Sequence, residues 1–390
     1  MNHIAMRRIP FSAPTIGPDE KSAWEKGLFG SLSGNGANCR EAEAILRQRT
    51  AVPYALLTSS CTHALEIALM AMDLKPDDEI ILPSFTFTST ANVVLRQGAR
   101  PVFVDIDPRT FNIDPEKIRE ALTPRTRCLL PVHYAGQGCD MDEILRIARE
   151  NGLYVLEDAA QAVGATWNDQ PLGTFGDVGC FSFHATKNIV CGEGGAFLTR
   201  NDALARKAEI IREKGTNRAA FLRGEVDKYT WIGLGNSFIL PDPLAALLKV
   251  QLERMEEING ARLTIWNRYF AGTRHLEEYG LVRRPYFHPK ASNNAHIFGL
   301  LIENGRRDEV LARMRKWGVE ATFHYVPLHS SPYMQEYFGD AVPHLPITDH
   351  VSASLLRLPL SANMTEEDTD YVLEALHAAL LGTGELSLSK

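Results

Sequence analysis

What the chain lacks narrows it first. Lys and Arg never gather into a run, and the 390 residues carry a formal charge of −7, so there is no electrostatic footprint for a nucleic-acid backbone. No apolar run reaches the length that spans a bilayer, and residues 1–14 hold two arginines with no apolar core behind them. A membrane protein or a secreted one is therefore not expected, and a cytoplasmic protein is. The six cysteines, at 39, 61, 128, 139, 180 and 191, include no Cys-x-x-Cys pair, which argues against a disulfide framework and leaves them as small buried thiols. Internal repeats and low-complexity tracts are also missing. With 45% hydrophobic and 23% charged residues, and 29 Gly and 21 Pro dispersed, the composition is that of an ordinary globular protein. The length suggests one large domain with a smaller companion.

What is present is periodic. Between residues 54 and 200, short apolar runs alternate with amphipathic segments, which predicts an α/β domain round a mainly parallel sheet. Strands are expected at 54–57, 79–82, 102–105, 128–132, 153–157, 179–183 and 195–199. Helices are expected at 62–72, 88–97, 115–122 and 140–151. The stretch 184–195 is polar and glycine-rich with little room for a helix, so it reads as a functional loop. Beyond it the chain becomes helical, at 203–214 and then over 242–279, a length that suits a connector between lobes. A strand at 296–302, a helix at 307–317, a strand at 319–323 and a helix at 366–381 predict a small α+β domain. The division expected is 1–250 for the large domain and 251–390 for the small one.

Four features carry chemistry. Glu157-Asp158-Ala-Ala-Gln161 puts a carboxylate at the carboxyl end of an apolar strand, where open α/β sheets bind ligands. An acid there can keep a pyridine nitrogen protonated, although an Asp after a strand is more often a helix cap. Ser182-Phe-His-Ala-Thr-Lys187-Asn, followed by Gly192-Glu-Gly-Gly195, sets a lysine in the irregular loop. Its amine can form a Schiff base with an aldehyde cofactor and then shuttle a proton, whereas the common fate of a single Lys is a solvated surface. Thr58-Ser-Ser-Cys-Thr62 opens a helix with free amides and hydroxyls suited to a phosphate, or simply with a cap. Pro83-Ser-Phe-Thr-Phe87 can present an aromatic face to a flat ring, against ordinary core packing for Phe85 and Phe87.

The order of these features resembles the sugar aminotransferase branch of the aspartate-aminotransferase superfamily, the DegT/DnrJ/EryC1/StrS type of pyridoxal-phosphate (PLP) fold type I. Within it the chain is most similar to the dTDP-4-amino-4,6-dideoxygalactose transaminases, through residues 83–92, Pro131-Val-His-Tyr-Ala-Gly136, residues 157–161 and 182–188, Arg212-Glu-Lys-Gly-Thr-Asn-Arg218, Asp227-Lys-Tyr-Thr-Trp231 and His324-Tyr-Val-Pro-Leu-His329. The resemblance implies that Lys187 forms the Schiff base, Asp158 pairs with the pyridine nitrogen and Gln161 contacts the ring hydroxyl. Phe87 would stack on the ring, and Ser60, Cys61 and Ser182 would hold the phosphate together with Asn236 of the partner subunit in a homodimer with shared sites. Tyr325 and His329 would contact the sugar nucleotide. His184, read from the residues alone, either positions phosphate or substrate in a catalytic role or is a satisfied structural histidine. Two positions depart from the pattern: Ala185 stands where it implies Glu, and Asn236 where it implies Ser. The implied reaction moves an amino group from L-glutamate to dTDP-4-dehydro-6-deoxy-D-glucose, for a surface polysaccharide such as enterobacterial common antigen or O-antigen.

Other readings fit less well. His324 and His329 lie close together, but a proline separates them and no Cys or carboxylate falls at ligand spacing, so no metal is expected. Gly34-Asn-Gly36 lacks the third glycine of a dinucleotide loop, position 39 being Cys. A sugar dehydratase of similar fold would carry His in place of Lys187. A catalytically silent PLP-fold regulator would have little need to keep Lys187, Asp158 and Gln161 together, and another nucleotide-linked 3- or 4-keto sugar is the nearest alternative acceptor.

Overall fold

The structure is a computed structural model that describes residues 7–382. Its apolar runs become strands β1 (Tyr54–Thr58), β2 (Glu79–Pro83), β3 (Arg100–Val104), β4 (Thr126–Leu129) and β5 (Tyr154–Asp158). A short hairpin, β6 (Thr166–Trp167) and β7 (Gln170–Pro171), precedes β8 (Val178–Ser182) and β9 (Gly195–Thr199). Apart from the hairpin these form one seven-stranded sheet in the order β1-β9-β8-β5-β4-β2-β3. Strands β3, β2, β4, β5 and β8 run parallel, while β9 is antiparallel to both β8 and β1.

Every residue of β2, β8 and β9 is buried, which requires cover on both faces. Side chains alternate accordingly. Leu57, Ile81, Leu129, Val155 and Phe181 enter one apolar cluster, while their neighbours Leu56, Ile80, Leu82, Cys128, Leu156 and Cys180 enter the other. The first cluster is closed by two helices that the sequence pattern does not announce, Pro18–Leu28 and Ala37–Thr50. They meet the helix Asp242–Glu253. There the buried Asp242 accepts from the Cys39 amide at 2.9 Å, and the buried Glu20 accepts from Gln251 at 2.8 Å and Arg254 at 2.6 Å.

The single connector expected over 242–279 is instead three helices, Asp242–Glu253, Met255–Gly272 and Arg274–Glu278. The break falls at Arg254, whose ψ of 10° leaves helical geometry. It lets the chain leave the core of Leu248 and Leu252 for a separate one holding Ile265, Trp266 and Tyr269. That second core lies on a three-stranded antiparallel sheet of β10 (Val282–Arg283), β11 (Phe298–Ile302) and β12 (Leu355–Leu358), with helices Arg307–Lys316 and Glu366–Leu381. The strand expected at 319–323 does not form. That segment is held by single bridges, Val319 to Ile9 and Thr322 to Arg357, because it passes between the N-terminal segment and β12 without running alongside either. Among the described residues no helix is long and apolar enough to cross a membrane.

Glu157 and Asp158, adjacent on β5, point to opposite sides of the sheet and do different work. Glu157 is fully buried and accepts from the amides of Gly173 (2.9 Å), Phe175 (2.7 Å) and Gly176 (2.7 Å) and pairs with His133 Nε2 at 2.8 Å. His133 Nδ1 accepts from the Cys139 amide, so its Nε2 carries the hydrogen and donates to Glu157. Glu157→Gln would turn an amide N–H₂ toward these donors, and should cost about 3 kcal/mol in urea unfolding with cofactor absent.

Candidate active site

Each element end places one side chain. Ser60 follows β1 and caps the helix Cys61–Ala71, its Oγ accepting from the His63 amide at 3.1 Å. This leaves the amides of Cys61 and Thr62, which the helix cannot satisfy internally, free to bind an anion. Phe87 follows β2 at the start of helix Thr88–Arg96 and is 58% exposed, while Phe85 is buried against Tyr134 and Tyr325. Asp158 ends β5 and Ser182 ends β8. Lys187 sits in the loop between β8 and β9, a tight return closed by Phe183 N to Gly194 O at 2.8 Å and Ala185 N to Gly192 O at 2.9 Å.

These ends converge on a cavity of about 530 Å³. Its wall includes Ser60, Cys61, Phe87, Asp158, Gln161, Ser182, His184, Lys187 and Tyr325, all singled out from the sequence. Two expected residues lie elsewhere. His329 is buried behind the wall, with Nδ1 2.8 Å from Ser84 Oγ and Nε2 3.3 Å from Asp349. Leu328 N reaches back to Ser84 O, which draws the segment away from the cavity. Asn236 is exposed outside the wall, its Oδ1 accepting from the Ser237 amide.

Burial pushes the Asp158 carboxyl up, against the Thr90 hydroxyl at 2.9 Å and the Ala160 amide at 3.2 Å, which favour the anion. Desolvation pushes the half-buried Lys187 ammonium down, which enlarges the fraction of free amine at neutral pH. Gln161 is fixed at both ends, its Oε1 accepting from the Ala135 amide and its Nε2 donating to the Tyr325 hydroxyl, each at 2.8 Å. His184 shares a hydrogen bond with Thr186 at 2.9 Å and lies 3.5 Å from Glu193. Burial raises the Cys61 thiol well above its ordinary value, so it is a neutral wall group.

The sequence reading passed over Phe11, His296 and Arg357, which also line the cavity, and gave His324, inside a segment expected at the sugar-nucleotide pocket, no role of its own. His296 is buried with Nδ1 3.0 Å from Asn188, and His324 Nδ1 is 2.8 Å from the Tyr134 hydroxyl. Burial holds both imidazoles well below their usual range, hence neutral. Arg357 did leave a trace, as a lone charge inside the apolar run Leu355-Leu-Arg-Leu358.

The donor set fits pyridoxal phosphate. Free amides and hydroxyls suit its phosphate, a carboxyl in apolar surroundings suits the ring nitrogen, an exposed aromatic face suits the ring, and a desolvated amine suits the aldehyde. The phosphate cradle depends on close approach, since a Cβ on Gly195 would lie 2.4 Å from Ser60 C and Cys61 N. Gly195→Ala should therefore cost about 2 kcal/mol of stability and weaken cofactor retention, read by thermal melting and by cofactor titration of the apoprotein.

Comparison with known proteins agrees with this geometry. The model of the DegT/DnrJ/EryC1/StrS aminotransferase family matches residues 14–377. The chain is 35% identical over 382 residues to the spore coat polysaccharide biosynthesis protein SpsC of Bacillus subtilis (strain 168), covering 96% of this chain and 97% of SpsC. The aminotransferase TlmJ from Streptoalloteichus hindustanus superposes with a TM-score of 0.89 at 29% identity, over 96% of this chain and all of TlmJ. Spr1654 of Streptococcus pneumoniae, solved in PLP and PMP forms, gives 0.89 at 25% identity over 96% of this chain, with 99% of Spr1654 covered in the PLP form and 100% in the PMP form. The α/β fold is that of PLP fold type I, and the chain belongs to the DegT/DnrJ/EryC1/StrS family as a PLP-dependent sugar aminotransferase.

Proposed function

We propose that the protein transfers the amino group of L-glutamate to a nucleotide-linked keto sugar, dTDP-4-dehydro-6-deoxy-D-glucose, giving dTDP-4-amino-4,6-dideoxy-D-galactose in the cytoplasm. The observation that carries the reading is the convergence on one cavity of Ser60, Phe87, Asp158 and Ser182, which end or follow four different strands, with Lys187 from the loop after β8. When bound, pyridoxal phosphate supplies an aldehyde carbon and a ring that accepts the electron pair released at the reacting carbon. Asp158 holds a proton at the ring nitrogen, and Gln161 contacts the ring hydroxyl. Phe87 stacks on the ring, and the amides and hydroxyls of Ser60, Cys61 and Ser182 hold the phosphate. Lys187 Nζ anchors the cofactor and carries the proton to and from the reacting carbon, which its lowered basicity favours. His184 and Tyr325 bind the sugar side.

Residues 1–250 serve in this reading as the cofactor domain and 251–390 as the small domain, a division near the helix break at Arg254. A homodimer is part of it. Trp231 and Leu234, 76% and 77% exposed, form an apolar surface beside Asn236, suited to pairing in which Asn236 of the partner subunit reaches the phosphate. The name of SpsC, which places that relative in polysaccharide biosynthesis, supports a product destined for a surface polysaccharide.

One cuvette tests donor and acceptor. The absorbance of the lysine-bound cofactor should bleach with glutamate and return with the sugar nucleotide, whereas bleaching without return would reject this acceptor. Lys187→Ala should lose turnover by at least about 10³-fold while retaining cofactor noncovalently; full activity in that variant would refute the role of Lys187.

A further inference from the structure

His296 presents to the cavity a ring nitrogen that can only accept. Asn188 Nδ2 donates to Asn294 O at 2.7 Å and to Asn259 Oδ1 at 2.8 Å, which fixes the orientation of that amide and turns its Oδ1 to His296. The His296 Nδ1, 3.0 Å from this oxygen, must then carry the ring hydrogen. In the neutral imidazole this leaves Nε2 with a lone pair and no hydrogen. Burial opposes a second proton on the ring, and so do the groups acting on it, Lys187, Arg262, Arg357 and His324. The ring is also held in place. His296 N donates to Asn294 Oδ1 at 3.1 Å, and its carbonyl accepts from Arg262 Nη2 at 2.7 Å. The acceptor is therefore set before any ligand arrives, where the start of β11 meets the loop carrying Lys187 and the helix Met255–Gly272 that supplies Asn259. Lys187 is the donor beside it. The two residues share the wall of the main cavity, and with Gln161, Asn188 and Asn294 they also close a second recess too narrow for a water molecule. Arg357 opens on the cavity but not on that recess. The Asp158 carboxylate is already engaged by Thr90 and Ala160.

We propose that His296 Nε2 accepts a hydrogen bond from Lys187 Nζ whenever the lysine is off the cofactor, an inference that rests on the transamination reading above and the role given there to Lys187. A free amine has two N–H bonds and one lone pair. Tying one N–H to a fixed acceptor restricts the directions the lone pair can take, and the lone pair is what receives the proton from the reacting carbon. A carboxylate in this place would favour an ammonium, which has no lone pair to offer. An imidazole kept neutral orients the amine and leaves it a base. His296 is thus a positioning residue that acts through Lys187, and Asn188, the next residue after that lysine, sets its tautomer.

The test compares wild type with His296→Phe and His296→Leu, each of which removes the acceptor, and with His296→Gln, which restores one. Thermal melting selects the folded variants. In the apoprotein, acetic anhydride labels Lys187 in proportion to its free amine, and peptide mass spectrometry across a pH series gives the midpoint. An acceptor stabilises the ammonium more than the amine, so the midpoint should fall in His296→Phe and His296→Leu and move back toward wild type in His296→Gln. In the cofactor-loaded enzyme, bleaching of the band by glutamate should slow about 10- to 100-fold in the first two variants, with half-saturating glutamate unchanged within about twofold. The slowing should be larger with glutamate deuterated at the reacting carbon, which a general structural defect would not produce. A shifted midpoint together with no bleaching by glutamate in wild type would uphold the contact and reject the transamination reading. An unshifted midpoint and an unchanged isotope effect in both acceptor-less variants would overturn the proposal, and so would a defect confined to the sugar nucleotide, which would make His296 a sugar contact.

Discussion

The hydrogen bonds gathered by the Glu157 carboxylate hold the active site in register. Three amides from residues 173–176 and the imidazole of His133 close on it from two neighbouring segments, with no water needed to complete the set. Because Asp158 is the next residue along β5, fixing Glu157 fixes the strand twist at which Asp158 emerges into the cavity. The backbone repeats the lock, since Asp158 N donates to Pro131 O at 2.9 Å and Asp158 O accepts from His133 N at 3.1 Å. A carboxylate spent wholly on architecture thus sets the direction of the adjacent one that faces the ligand.

Much of this was legible because the first half of the chain is made of local units. Period-two and period-3.6 patterns give strands, helices and therefore strand ends, and ligand-facing residues of an open sheet lie at strand ends. Ser60, Phe87 and Asp158 are found by that rule, and Lys187 by the polar, glycine-rich loop that interrupts the pattern. What escaped depends on contacts between distant segments. The helices Pro18–Leu28 and Ala37–Thr50 have weakly patterned faces and are stabilised by burying Glu20 and Asp242 contacts formed with residues more than two hundred positions away. Neither periodicity nor spacing shows that Phe11, His296 and Arg357 meet, since they come from three separate regions of the chain. His329 lies outside the cavity wall, held by Ser84 and Asp349. Tyr325 has φ of 45°, a left-handed turn, and after it the chain passes behind the wall.

The cavity also shows how unlike charges are partitioned. Asp158 and Lys187 share one enclosure, each shifted by burial toward its neutral form and each exerting on the other the opposite pull. The imidazoles of His296 and His324 and the Tyr325 phenol, which burial keeps neutral, share the rest of the polar wall with hydroxyls, Glu193 and Arg357, so the local field is set by few fixed charges and by whatever ligand enters. Such a site distinguishes ligands by the charge they bring, more than by shape alone.

The placement of Phe11 carries a consequence for biosynthesis. Its carbonyl accepts from Leu360 N at 3.2 Å, and Ile9 exchanges backbone hydrogen bonds with Gly318 and Glu320. The strip that floors the cavity is thus translated early, yet its first partners, Gly318 and Glu320, follow some three hundred residues later, and its last, Leu360, later still. The large sheet can assemble while the chain is still emerging, but the catalytic chamber cannot close until Leu360 has been made.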